Sequence, residues 1–72
     1  MNPDQIGRAA GAIWKCLEQE RGVLSMAKIK EKTALDTEAL LLGLGWLARE
    51  GKILLEKRGR SVRITLAETA AV

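Results

Sequence analysis

Apolar residues recur along this chain with two different periods, and the change of period divides it into elements. Ile6, Ala9, Ala10, Ile13 and Leu17 stand three or four residues apart and form one apolar stripe on a first helix. Asn2 is a strong N-cap for it, Pro3 suits the first helical position, and Asp4 complements the positive helix end. Gly22 supplies the stop. Trp14 and Cys16 flank the stripe on opposite sides. Gly7 and Gly11 interrupt it. Each costs a helix about 1 kcal/mol relative to alanine, which predicts close packing against a neighbour there.

Val23-Leu24 is too short to stand alone and is expected to add a short strand beside a later hairpin. Ser25 caps a second helix from Met26 to Lys32, with Ile29 facing inward. Its capping box is incomplete, because Lys28 stands where glutamate or glutamine would close it. Thr33-Ala34-Leu35 forms the turn. Asp36 then caps a third helix with Glu38 in its first turn. Leu40, Leu44 and Leu47 make its core stripe, supported by Leu41 and Ala48, and Gly51 ends it.

From Lys52 the period shortens. Lys52 to Lys57 reads as a strand, and Ser61 to Leu66 as a second, in which Val62, Ile64 and Leu66 alternate with Arg63 and Thr65. Arg58-Gly59-Arg60 joins them, Gly59 taking the positive φ of a tight hairpin. Ser25 to Glu50 is helix, short turn, longer helix. Three helices and a C-terminal hairpin predict a winged helix-turn-helix fold, mainly α with a small β wing. The whole chain, residues 1–72, is expected to be one domain with its core in 3–66 and a frayed or weakly helical tail in 67–72.

Composition narrows the picture. A chain of 72 residues buries only about 60% of its unfolded surface, so the core is small. Aromatics make up 3% and both are Trp, so the core is aliphatic, and a small Leu-rich domain gains from self-association. The net charge of +3 is compatible with nucleic acid and equally with a merely soluble protein. The lone Cys16 cannot form an intramolecular disulfide and points to a reducing compartment. No apolar run reaches a membrane-spanning length, and the polar start lacks a signal peptide's apolar core. The expected location is the cytoplasm.

Catalysis is not expected. Without histidine there is no Ser-His or Cys-His nucleophile pair and no Cys/His cluster for zinc. Gly43-Leu44-Gly45 lacks the strand-to-helix setting and the later glycine or lysine of a phosphate cradle. Cys16 reads as a small half-buried hydrophobe. No metal, cofactor or small-molecule ligand is implied.

Three surfaces are candidates for binding. Lys57, Arg58, Arg60 and Arg63 cluster at the hairpin tip with only Glu56 beside them, suited to phosphate or to a minor groove; the alternative is protection of a sheet edge. Lys28 and Lys32 share a side of the second helix and reach a phosphate backbone, or form a solvated face with Glu31. The third helix turns Glu38, Leu42, Gly45, Trp46 and Arg49 away from its core side. Base edges are read by polar side chains, and here only Thr37, Glu38 and Arg49 qualify. Leu42 and Trp46 form an apolar ridge with Ala39 beside it. Either Trp46 folds back into the core, or the ridge is a protein-protein surface to which Trp14 adds.

The string Gly45-Trp46-Leu47-Ala48-Arg49-Glu50-Gly51-Lys52-Ile53, with Ala10-Gly11-Ala12-Ile13-Trp14, resembles a family of small stand-alone prokaryotic winged helix-turn-helix proteins of unknown function. The resemblance covers residues 6–66 and implies the three-helix-plus-wing fold. It assigns no substrate or operator. Gly43 stands where that resemblance implies alanine, which weakens the helix locally without changing the fold.

The function these residues point to is regulatory nucleic-acid binding. Thr37, Glu38 and Arg49 would enter the major groove of double-stranded DNA, and Lys57, Arg58 and Arg60 would hold phosphate. The alternative is a protein-interaction module or homodimer built on Leu42, Trp46 and Trp14, without DNA. No membrane partner is expected.

Overall fold

Helix α1 (Pro3–Glu20) opens the fold, and the computed structural model describes residues 2–20 and 23–67. Its N-terminus is a reciprocal cap. The Gln5 amide donates to Asn2 Oδ1 at 2.9 Å, and the Asn2 amide donates to Gln5 Oε1 at 3.0 Å. Two otherwise orphaned donors are thereby satisfied. The expected stop at Gly22 and the tail beyond Ala67 lie outside the described residues.

Strand β1 is Leu24–Ser25, one residue later than Val23-Leu24. Ser25 closes the strand and also caps helix α2 (Met26–Thr33), its hydroxyl accepting from the Lys28 amide at 3.1 Å. The turn to helix α3 (Thr37–Arg49) passes through Ala34 in the left-handed conformation, φ 59°. Asp36 caps α3 by accepting from the Ala39 amide at 2.8 Å. The C-terminus of α3 is a Schellman motif. Gly51 has φ 70°, its amide donates to the Ala48 carbonyl, and the Lys52 amide donates to Leu47.

Strands β2 (Ile53–Arg58) and β3 (Ser61–Leu66) form the wing. Arg58 belongs to β2 and Lys52 does not, so the loop is only Gly59-Arg60. Gly59 takes φ 59° at its first position, as a two-residue hairpin of the II′ kind asks. The sheet order is β1-β3-β2, all antiparallel, with Leu24 opposite Ile64 and Leu55 opposite Ile64 on the other side.

The core lies between α1, α3, α2 and the inner face of the sheet. Ile13, Leu17, Ile29 and Ile64 are completely buried, and Ala10, Leu40, Leu44, Leu47 and Ile53 complete the cluster. Each of the leucine and isoleucine side chains contributes about 1.5–3 kcal/mol of burial. Cys16 is buried rather than half-buried. Two packing expectations are corrected. Leu41 does not support the core and is 51% exposed, because it lies more than a quarter turn from the Leu40-Leu44-Leu47 stripe. Nor, among the described residues, do Gly7 and Gly11 serve close packing: a Cβ on either would meet nothing there within 4 Å. The close approach is at Gly43, where a Cβ would lie 3.0 Å from the Ala10 amide nitrogen. The missing side chain lets α1 and α3 touch backbone to backbone.

Among the described residues no polar or charged side chain is buried, so any binding chemistry is on the surface. Among them, too, no helix is long and apolar enough to cross a membrane.

Candidate nucleic-acid interface

The register of the wing fixes where its charges point. Residues opposite each other share a face, and faces alternate along a strand. Ile53, Leu55, Val62, Ile64 and Leu66 share the inner face with Lys57, which reaches past the core at the tip. Glu56, Arg58 and Arg63 share the outer face. Arg60 occupies the turn. Cations thus leave the tip on both faces and at its end, and all four are exposed.

Glu56 sits between the two outer arginines. It is directly opposite Arg63, and its carboxylate accepts from Arg58 Nε at 3.0 Å. Lys57, Arg60 and Arg63 have no carboxylate partner within 4 Å among the described residues. Four of the chain's twelve cations and one of its nine carboxylates lie in residues 56–63. The remainder holds eight of each, so the entire excess of +3 resides at the wing tip.

The second-helix lysines are placed differently. Lys28 Nζ is 3.8 Å from Glu31, and Lys32 Nζ is 3.5 Å from Glu20. Both carry a local countercharge, though exposed pairs of this kind are worth at most about 1 kcal/mol and exchange readily. Lys30 had no claim from sequence, because it points away from Lys28 and Lys32. Yet its Nζ donates to Thr37 Oγ1 at 2.7 Å. The short turn lays the last turn of α2 beside the first turn of α3, and that arrangement is the signal that would have identified it. It brings a cation to Thr37, whose hydroxyl oxygen accepts from Lys30 while its own O–H stays available as a donor.

The outer face of α3 carries Glu38, Leu42, Gly45, Trp46 and Arg49, with Leu41 on its flank. Leu42 is 41% and Trp46 46% exposed. Trp46 therefore does not fold back into the core. Trp14 does pack on the core, half-buried, and lines a shallow groove with Gly7, Gly11 and Trp46. The structure thus collects the wing cations at one tip and keeps the apolar ridge of α3 on the surface. Glu38 and Arg49 stand at opposite ends of α3, and neither forms an ion pair within 4 Å among the described residues.

Comparison with known proteins agrees with this architecture. A family model described as "Winged helix-turn-helix domain (DUF2582)" matches residues 1–66. The uncharacterized protein MJ1608 of Methanocaldococcus jannaschii is 37% identical over 54 residues, covering 74% of this chain and 77% of that one. The solution NMR structure of protein BT2368 from Bacteroides thetaiotaomicron matches with a TM-score of 0.82 at 30% identity, covering 97% of this chain and 84% of that chain.

Proposed function

Because the chain belongs to the winged helix-turn-helix domain family DUF2582, we propose that it binds double-stranded nucleic acid through the phosphate backbone, led by the wing, in a regulatory role. The observation that carries this reading is the location of the charge: the net +3 of the whole chain is the charge of residues 56–63. Arginine guanidinium groups bind phosphate oxygens in a fork geometry, and each contact releases condensed counterions. Arg58, Arg60 and Arg63 take this role, with Lys57 as a fourth point charge. Lys28 and Lys32 add weaker contacts once phosphate displaces their exposed carboxylate partners.

Binding of this kind has little sequence preference. The outer face of α3 offers leucines and Trp46 where donors and acceptors would read base edges. Glu38 would be repelled by phosphate. Base reading through Thr37, Glu38 and Arg49 therefore has less support than phosphate contact by the wing. The chain lacks histidine, and its part is binding rather than catalysis.

The test is a variant with both Arg58→Ala and Arg60→Ala, titrated against duplex DNA across a range of salt. Each lost phosphate contact lowers the slope of log affinity against log salt by about 0.9. The expected result is weaker binding and a flatter slope. Affinity unchanged at low salt would contradict the reading.

A second reading is favoured by one observation: Leu41, Leu42 and Trp46 form an exposed apolar patch on a single helix. Such patches mark protein-protein surfaces.

A further inference from the structure

We infer that the outer face of α3 pairs with the same face of a second copy of this chain, antiparallel, across a two-fold axis. This inference is independent of the wing's contact with nucleic acid.

The face lies opposite the Leu40-Leu44-Leu47 core stripe. At its centre is Gly45, where a Cβ would meet nothing within 4 Å. A helical glycine costs stability. Gly43 offsets this inside the protomer by admitting α1, whereas nothing among the described residues uses the open space at Gly45. Leu41, Leu42 and Trp46 surround it, each 41–51% exposed. Glu38 and Arg49 close the two ends, and neither has an ion-pair partner within 4 Å among the described residues.

The charges select the occupant and its direction. Let a two-fold axis pass alongside the outer face of α3, perpendicular to the helix and level with the Gly43–Leu44 bond. At matching heights Glu38 then meets Arg49 of the other copy and Leu42 meets Gly45, while Leu41 and Trp46 line opposite flanks of the seam. The two reciprocal ion pairs fall about 8 Å on either side of the axis. A parallel pairing would set Glu38 against Glu38 and Arg49 against Arg49. A nucleic-acid groove would oppose phosphate to Glu38 and leave the leucines without partners. Only the antiparallel second copy satisfies both the apolar centre and the charged ends, as an isologous interface requires. The contact can spread beyond α3, because Ile6 adjoins the same depression and Trp14 lines the next one. A stable interface needs about 800 Å² per partner. One 13-residue helix gives less, so the dimer depends on protein concentration.

Sedimentation equilibrium tests this. At high protein concentration the mass should approach twice the 7.9 kDa protomer and fall on dilution. Glu38→Lys alone and Arg49→Glu alone should each weaken association at least tenfold, an order typical of losing and reversing close charge pairs. The double variant with both changes should restore it. These positions are exposed, and circular dichroism verifies that each variant is folded. A wild-type mass of 7.9 kDa at the highest concentration would overturn the inference. So would a dimer insensitive to the single reversals, or a double variant that fails to recover. Arg58→Ala with Arg60→Ala should leave the mass unchanged, so loss of the dimer and loss of wing binding are read separately.

Discussion

Gly43 lies directly against the backbone of Ala10: a Cβ on Gly43 would stand 3.0 Å from the Ala10 nitrogen and 2.9 Å from Ile13 Cδ1. The side chain of Ile13 can shift, but the backbone of α1 cannot without moving the helix. This one position sets how closely α1 and α3 approach, and therefore how tightly Leu44 and Leu47 seal against Ile13 and Leu17. Alanine at this position, which the family resemblance implies, would require a wider helix separation.

Gly43→Ala should therefore destabilise the protein. Overpacking costs about 1–3 kcal/mol, and the gain in helix propensity returns about 1 kcal/mol. The expected net loss is ~1 kcal/mol, a fall in Tm of about 4–8 °C for a domain of this size. Thermal unfolding followed by circular dichroism measures it. A Tm at or above that of the parent would mean that α1 moves away at no cost.

Ala34→Gly should do the opposite. Ala34 holds φ 59° and ψ 19° while its amide donates to the Lys30 carbonyl. The left-handed region costs an L-residue about 1–2 kcal/mol, part of which is offset by the greater freedom of glycine in the unfolded chain. The expected gain is about 0.5–1 kcal/mol, read from chemical denaturation. A loss of stability would show that the Ala34 methyl makes contacts that matter more than its backbone strain.

Cys16 should behave as an inert thiol in the native protein. Burial raises its pKa, the nearby Glu20 carboxylate raises it further, and Lys32 only partly opposes them. Alkylation at mildly alkaline pH should be slow until the protein is unfolded. The sign for stability follows from the same shift. As pH rises past the ordinary thiol value the unfolded chain ionises first, so stability is lost between that point and the higher native pKa. Alkylation as fast in native protein as in denaturant would contradict this placement.

How much of this was legible in the sequence depended on how local each cause is. Asn2, Ser25, Asp36 and Gly51 act within one helical turn, and the residue type alone announces the cap. The strand Ser61–Leu66 was legible because alternation has a single structural meaning. Leu41 was misplaced because a helix apolar on several sides does not declare which side is inside, and only the position of α1 decides it. Ala34 gave no signal, since alanine does not advertise positive φ; the abrupt reversal between the end of α2 at Thr33 and the start of α3 at Thr37 imposes it. The roles of the glycines could not be told apart either. Gly7, Gly11 and Gly43 look alike in sequence, yet among the described residues only Gly43 meets another backbone. At the candidate site the wing cations were legible as a cluster, whereas the Lys30–Thr37 bond depends on the turn between two helices.

The role proposed for the wing is to bind the backbone of duplex DNA. Its most direct test is the anisotropy of a labelled random duplex titrated with the full chain across a range of ionic strength, with the protein's mass followed by light scattering in the same buffers. The expected result is micromolar binding at low salt that falls steeply as salt rises, with no strong preference among sequences. Absence of binding at the lowest salt, with the protein folded and its mass accounted for, would contradict it and leave the apolar face of α3 as the chain's functional surface.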